Sequence, residues 1–393
     1  MPSDSMPSLN VRAASVGISP TMAAAAAVCL HPDPVDLTVG EPDFLPPPEA
    51  RAAAVVAIRE GRTKYGPAAG LAALRDAVSQ DLARRDGVAR AAEHTLLTAG
   101  GKAAIHDALR CILNPGDEVL IFAPYWPTFR DQVLWCGGVP VIVPPGEDLL
   151  PSKEAMDAAL SPRTRALILN QPSNPTGRVW DAERLDHLAQ MARQRGLWII
   201  LDQVYGTVTF DGPERPFLAQ APDLADRCVV VESFSKRFAM TGYRLGSASA
   251  PAPLVTAMVA LASSTVTHPS IIAQYAALAA LQLDGSWQRE QVESLRVRRD
   301  RAHAALSGIP GLKVPLPQGA LYLFPDVSRW MADHGIASDG ELVAKLRDEA
   351  GVKTLAGSAF GAPGHLRLSI AAPSAELEKG VERLNRFFGA GVD

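Results

Sequence analysis

At 393 residues the chain exceeds the size at which one hydrophobic core keeps growing, so two domains are expected. Apolar residues make up 47% and charged residues 20%, the balance of an ordinary globular protein. Thirty-eight Lys and Arg against 42 Asp and Glu leave a net charge of −4, which argues against nucleic acid or an anionic membrane as a partner. The four cysteines (Cys29, Cys111, Cys136 and Cys228) have no CxxC spacing. They suggest neither a zinc site nor a disulfide framework, and a reducing, cytoplasmic compartment fits.

Along the chain, the first dozen residues are polar and expected to be mobile. The Ala-rich run Met22 to Leu30 resembles a signal-peptide core, but it is weakly hydrophobic, begins late and runs into a functional-looking segment. Secretion is not expected. No run is long and apolar enough for a transmembrane helix. The middle of the chain alternates short apolar runs with amphipathic stretches. Val119 to Phe122, Ala166 to Leu169, Leu197 to Leu201 and Val229 to Glu232 read as buried strands. Ala104, Ile105, Ala108, Leu109 and Ile112 fall on one helical face, as do Leu185, Leu188, Met191 and Ala192. Strands alternating with helices predict an α/β domain with a mainly parallel sheet, whose ligands sit beyond the carboxyl ends of the strands. From about residue 280 the pattern changes. A long helix over Trp287 to Ala305, short strands around Ala320 to Phe324 and Leu366 to Ile370, and a final helix over Ala375 to Phe388 predict a smaller α+β domain. The segment before Pro46 is too short to fold alone and is expected to pack on that domain or on a second subunit.

Several polar residues stand where these elements end. Gly100-Gly101-Lys102 opens a helix directly after an apolar run, and free amides at a helix start form a phosphate cradle. Trp126 follows a strand and reads either as core or as a ring stacked on a flat cofactor. Asn174, held between two X-Pro bonds, points out of a rigid turn or simply belongs to one. Asp202 ends a fully apolar strand, where a buried carboxylate needs a cationic partner such as a protonated pyridine nitrogen. Ser233 to Gly246 sets Lys236 among hydroxyls and glycines, with Arg244 eight positions on. A lysine in such a run is costly to bury unless its amine has a task. One such task is a Schiff base with the aldehyde of pyridoxal 5′-phosphate. A surface lysine after a strand is the alternative.

The order and spacing of these segments resemble the fold-type I pyridoxal-phosphate enzymes, specifically class I aminotransferases of the bacterial aspartate-aminotransferase kind. The motifs are Leu37 to Phe44, Thr63 to Pro67, Thr98 to Lys102, Pro124 to Trp126, Asn174 to Gly177, Asp202 to Tyr205, Ser233 to Gly246 and His365 to Ile370. The resemblance runs from about Ser19 to the final helix. It implies a large domain over 48–279 with a seven-stranded, mainly parallel sheet flanked by helices. A small C-terminal domain over 280–393 and an N-terminal segment over 1–47 complete the chain. It also implies an amino-acid:2-oxo-acid aminotransferase with pyridoxal 5′-phosphate as cofactor, no metal, and a ping-pong cycle. Lys236 is then expected to bind the aldehyde and move a proton from the substrate. Asp202 is expected to hold the pyridine nitrogen protonated, and Asn174 and Tyr205 to hydrogen-bond the phenolic oxygen, with Trp126 stacked on the ring. The phosphate is expected on the amides of Gly101 and Lys102, the hydroxyl of Ser233 and the guanidinium of Arg244. Tyr65 and Thr267 would reach the phosphate of the neighbouring subunit in a homodimer with shared active sites. Arg367 would grip the substrate α-carboxylate, with help from the backbone of Gly40.

The chain departs from the family pattern at Gln203, where Glu is usual, and at Ala356, where Pro is common and a looser loop is expected. Some aspartate aminotransferases carry an arginine for the distal carboxylate where this chain has Ser263. Lys102 could serve instead or be an ordinary helix-start residue, and His268 beside Thr267 is another polar candidate or a surface histidine; an unusual amino acid from a biosynthetic pathway is the alternative substrate. Elimination, cyclisation or oxidation on the same fold retain the same motifs and form the alternative chemistry. An aminotransferase-like regulator domain is not expected, because few residues precede Leu37.

Overall fold

The apolar runs in the middle of the chain become strands covered on both faces. The computed structural model describes residues 10–212 and 216–389. The expectation of a mobile start falls largely on residues 1–9, outside the described residues. In chain order the strands are β1 (Val35–Asp36), β2 (Thr95–Thr98), β3 (Glu118–Phe122), β4 (Val139–Val143), β5 (Thr164–Asn170), β6 (Trp198–Asp202), β7 (Cys228–Ser233), β8 (Gly246–Ser249), β9 (Tyr322–Leu323), β10 (Val352–Lys353), β11 (Leu355–Ala356) and β12 (Leu366–Ser369). Seven of them form one sheet in the order β2-β8-β7-β6-β5-β3-β4. Neighbours from β7 to β4 are parallel, while β8 runs against both β7 and β2. This is the mainly parallel sheet of the α/β expectation.

Side-chain alternation explains why these strands read as continuous apolar runs. In β5, Leu167 and Leu169 enter one core while Ala166 and Ile168 enter the other. In β3, Leu120 and Phe122 divide from Val119 and Ile121 in the same way. Parallel strands buried on both faces need no polar alternation. The helix Gly101–Ile112 buries its predicted face on one side of the sheet. The helix Ala182–Arg195 buries Leu185, Leu188, Met191 and Ala192 on the other. Asp181 caps the latter by accepting from the Arg184 amide at 2.8 Å, and Gly196 ends it at φ +65°.

The tail forms the long helix Ser286–Ser307, the antiparallel sheet β11-β12-β9 and the final helix Ser374–Gly389. Part of the N-terminal segment lies against these elements. Strand β1 pairs in parallel with β10, and Val35 and Leu37 share a core with Leu306, Leu366 and Leu384. The loose loop expected at Ala356 is absent. Ala356 lies in β11 opposite Leu366, where a residue that keeps its N–H suits a strand better than proline does.

Register carries the polar strand ends to one edge. Asn170 of β5 stands beside Asp202 of β6, Asp202 beside Val231 of β7, and Ser233 of β7 beside Gly246 of β8. Thr98 also pairs with Gly246, so the Gly100-Gly101 turn emerges at that same edge.

Candidate active site

A cavity of about 320 Å³ opens at this edge. Gly40, Gly101, Lys102, Trp126, Asn174, Asp202, Tyr205, Ser233, Lys236, Arg244 and Arg367 all line it. Eleven positions spread over most of the sequence thus converge on one space.

At the floor of the cavity, Asp202 is buried and accepts from the Val204 amide at 3.2 Å. Burial, with a smaller push from Glu232, raises its pKa to about 7. No cation pairs with it among the described residues. Gln203 beside it is also buried and adds no further negative charge. Asn170 supports this corner twice: its Nδ2 donates to the Asp202 carbonyl at 3.1 Å, and its Oδ1 accepts from the Asn174 amide at 2.8 Å.

Lys236 follows β7 in a short helical turn that Ser233 caps by accepting from the Ser235 amide. Its Nζ donates to the Gly40 carbonyl. Accessible area leaves the residue half-buried because it lines the cavity, yet the surrounding protein desolvates its amine and lowers its pKa. Arg367 stands on β12 and is 3% exposed. Its Nη1 donates to Asn174 Oδ1 at 3.0 Å and its Nη2 to the Thr38 carbonyl at 2.5 Å. Nε has no partner. The guanidinium lies over the rings of Tyr322, 4.2 Å away, and Phe360, 4.9 Å away. No carboxylate meets it among the described residues, and burial lowers its pKa.

The phosphate-cradle expectation rests on glycines that the packing requires. Gly100 has φ +93°, and a Cβ there would sit 2.7 Å from Arg244 Nη2. A Cβ on Gly246 would lie 2.6 Å from the Gly101 amide nitrogen. Only glycine at both places leaves the first amides of the helix Gly101–Ile112 open beside Ser233 and Arg244. Arg244 itself is exposed, in a left-handed turn, and donates to the Thr241 carbonyl at 2.7 Å. Lys102 lies at the mouth, its Nζ 4.9 Å from the Trp126 ring centroid. Desolvation, then Arg244, lowers its pKa.

Tyr65 and Thr267 do not reach this cavity. Tyr65 is 91% exposed and stands edge-on to His268. Thr267 occupies a left-handed turn after the helix Ala252–Thr265. His268 accepts from the Gly66 amide at 3.0 Å and stays outside as well. Ser263 bonds to the Ala260 carbonyl of its own helix. Conversely, Thr21, Met22, Asn170 and Tyr322 line the cavity although nothing in the sequence assigned them a role. Asn170 carried the signal that singled out Asp202, a polar residue ending an apolar strand. Met22 was concealed in the alanine run, and Tyr322 in an apolar stretch.

The cavity therefore presents a buried carboxylate and a buried guanidinium, neither with an ion-pair partner among the described residues, a desolvated amine and an open amide cradle. Pyridoxal 5′-phosphate, with its basic ring nitrogen, aldehyde and phosphate, fits this donor set. The comparisons agree. The family "Aminotransferase class I and II" matches residues 32–384. An aspartate aminotransferase of Geobacillus stearothermophilus is 39% identical over 365 residues, covering 91% of this chain and 92% of the relative. An aspartate/prephenate aminotransferase of Thermus thermophilus is 38% identical over 91% of both chains. Among solved structures, the Thermus thermophilus aspartate aminotransferase with maleate superposes at a TM-score of 0.90 and 35% identity, covering 97% of this chain and 100% of that one. The Rhizobium meliloti aspartate aminotransferase gives 0.91 and 33%, with 97% and 98% covered. The fold, the convergence of motifs and these similarities establish that the chain belongs to the class I and II aminotransferases, enzymes of fold type I that use pyridoxal phosphate to exchange amino groups between amino acids and 2-oxo acids.

Proposed function

We propose that the cavity at the sheet edge is the transamination site and that each lining group meets one part of cofactor or substrate. The observation that carries this reading is the pair of opposite buried charges, Asp202 and Arg367, neither with an ionic partner among the described residues. An uncompensated buried charge is costly, so each is suited to a ligand group of opposite sign. When bound, pyridoxal phosphate supplies an aldehyde for covalent linkage and a ring that withdraws electrons. Asp202 would keep the ring nitrogen protonated. Asn174 and Tyr205 would hydrogen-bond the phenolic oxygen, and Trp126 would face the ring. Ser233, Arg244 and the amides of Gly101 and Lys102 hold the phosphate. Lys236 would hold the aldehyde, and its amine, whose lowered pKa favours the neutral base, would be placed to accept the substrate's Cα proton. Arg367 grips the α-carboxylate, and the Gly40 backbone borders the same space.

The substrate we infer is an amino acid with a second, distal carboxylate. Lys102 supports this, as a cation at the mouth with no ion-pair partner among the described residues. The names of the relatives point the same way. L-Aspartate alone should bleach the visible absorbance of the loaded protein and release a 2-oxo acid. Ammonia release instead would favour elimination. Arg367→Lys should keep the absorbance and lose about 10²-fold in kcat/KM, because a point charge cannot reproduce the planar two-bonded fork. Steady-state kinetics that leave kcat/KM unchanged would remove Arg367 from the substrate.

Further parts of the reading concern assembly. Residues 48–279 serve as the large cofactor-binding domain and 280–393 as the small domain, with 1–47 packed against it. Tyr65 and Thr267 lie outside their own cavity, and Tyr65 is almost fully exposed. Both suit a homodimer in which they complete the partner's phosphate site. Among the described residues no helix is long and apolar enough to cross a membrane. A cytoplasmic enzyme fits. Sedimentation as a monomer, or recovery of the protein outside the cytoplasm, would refute these parts.

A further inference from the structure

Tyr322 is a buried aromatic that touches several members of the site at once. It begins β9 and pairs with Ser369 of β12, two residues along the same face from Arg367. Two backbone bonds hold its neighbours in place: the Ala320 amide donates to Val208 and the Ile370 amide to Leu321, both at 2.9 Å. The ring face carries the Arg367 guanidinium. The hydroxyl stands 2.7 Å from Tyr205 Oη, and the two rings meet edge to face. Gly40 makes room for it, since a Cβ there would fall 1.9 Å from the Tyr322 hydroxyl oxygen.

We propose that the Tyr322 hydroxyl is a positioning donor for Tyr205 in the reaction. The inference rests on the reading that Tyr205 faces the cofactor's phenolic oxygen. Each phenol has a single proton. If Tyr205 gives its own to the phenolic oxygen, the proton between the two tyrosines must come from Tyr322. The direction of the shared bond is then set. A chain of two donated bonds polarises each member, so Tyr322 both orients the Tyr205 hydroxyl and strengthens its donation. Burial, then the neighbouring Tyr322, pushes the Tyr205 phenol well above its ordinary range, which keeps it a donor at neutral pH.

A bond donated to the phenolic oxygen favours its charged form and makes the conjugated nitrogen at Lys236 less basic. The readout is therefore the pH midpoint at which the visible absorbance of the loaded, substrate-free protein changes. Tyr205→Phe should raise it. Tyr322→Phe, which keeps the ring on Arg367, should raise it by about 0.5 pH unit, a roughly threefold change in the proton equilibrium. The double variant should match Tyr205→Phe alone, because the effect of Tyr322 passes through Tyr205. 3-Fluorotyrosine at position 322, a more acidic donor, should move the midpoint downward, and it keeps the test available should Tyr322→Phe fold poorly. A shift in Tyr205→Phe with none in either position-322 variant overturns this inference and leaves the site reading intact. Additive shifts in the double variant also overturn it. No shift in Tyr205→Phe removes the role of Tyr205 at the cofactor, and the inference falls with it.

Discussion

A Lys236→Ala protein should fold, show no visible cofactor absorbance and lose about four orders of magnitude in turnover. The side chain is expected to supply both the covalent anchor and the base, and its amine is the group that contacts the Gly40 carbonyl inside the cavity. Among the described residues, the other lysine lining the cavity, Lys102, lies at its mouth against Trp126 and is not placed to replace it. The fold should survive because the substitution removes a desolvated amine that lines the cavity rather than a packed core side chain. The melting temperature of the cofactor-free variant should not fall below that of the parent. Absorbance spectra, borohydride fixation and kinetics check the rest. Normal turnover in this variant would refute the site assignment.

Asp202→Asn should lower kcat by about 10²- to 10³-fold while leaving the covalent attachment at Lys236 possible. Asparagine keeps the shape and the bond from the Val204 amide but supplies no charge for the ring nitrogen. The same variant should change how stability depends on pH. In the cofactor-free protein the Asp202 pKa is raised to about 7, so the folded state holds this proton more tightly than the unfolded chain does. Stability contributed at this position is therefore lost as pH rises from the ordinary carboxylate range towards 7. Urea unfolding of cofactor-free protein across that window should show a falling contribution, which Asp202→Asn removes. An identical pH profile in parent and variant would show that Asp202 titrates normally.

Much of the architecture was legible because parallel strands buried on both faces leave an unmistakable trace. Runs such as Ala166 to Leu169 and Val229 to Val231 carry no polar alternation, and both of their faces enter cores. Polar residues at the ends of such runs stand out for the same reason, which is how Asp202 and Ser233 could be read. Trp126 could be read from its place after a strand, and the resemblance extended that reading to Arg367 and Gly40. Asn170 carried the same mark as Asp202 and was passed over. Met22 and Tyr322 bore no mark, because apolar and aromatic residues in apolar stretches look alike whether they face a core or a cavity. The loose loop expected at Ala356 was an error of the opposite kind: pairing across β11 and β12 joins Ala356 to Leu366, ten residues on, and Leu355 to Arg367, twelve residues on.

What the sequence determined by itself is the chemistry available: one lysine, one strand-end carboxylate, an amide cradle and the order in which they occur. Local periodicity and residue type suffice for that, because each is a property of a short stretch. Only the tertiary structure decided which of these groups go without partners. Whether Asp202 lacks a cation, Arg367 lacks a carboxylate and Tyr322 meets Tyr205 depends on contacts between positions more than a hundred residues apart, such as the 117-residue separation of the two tyrosines. Desolvation and charge pairing are set by distance in space, and sequence spacing alone does not encode that distance.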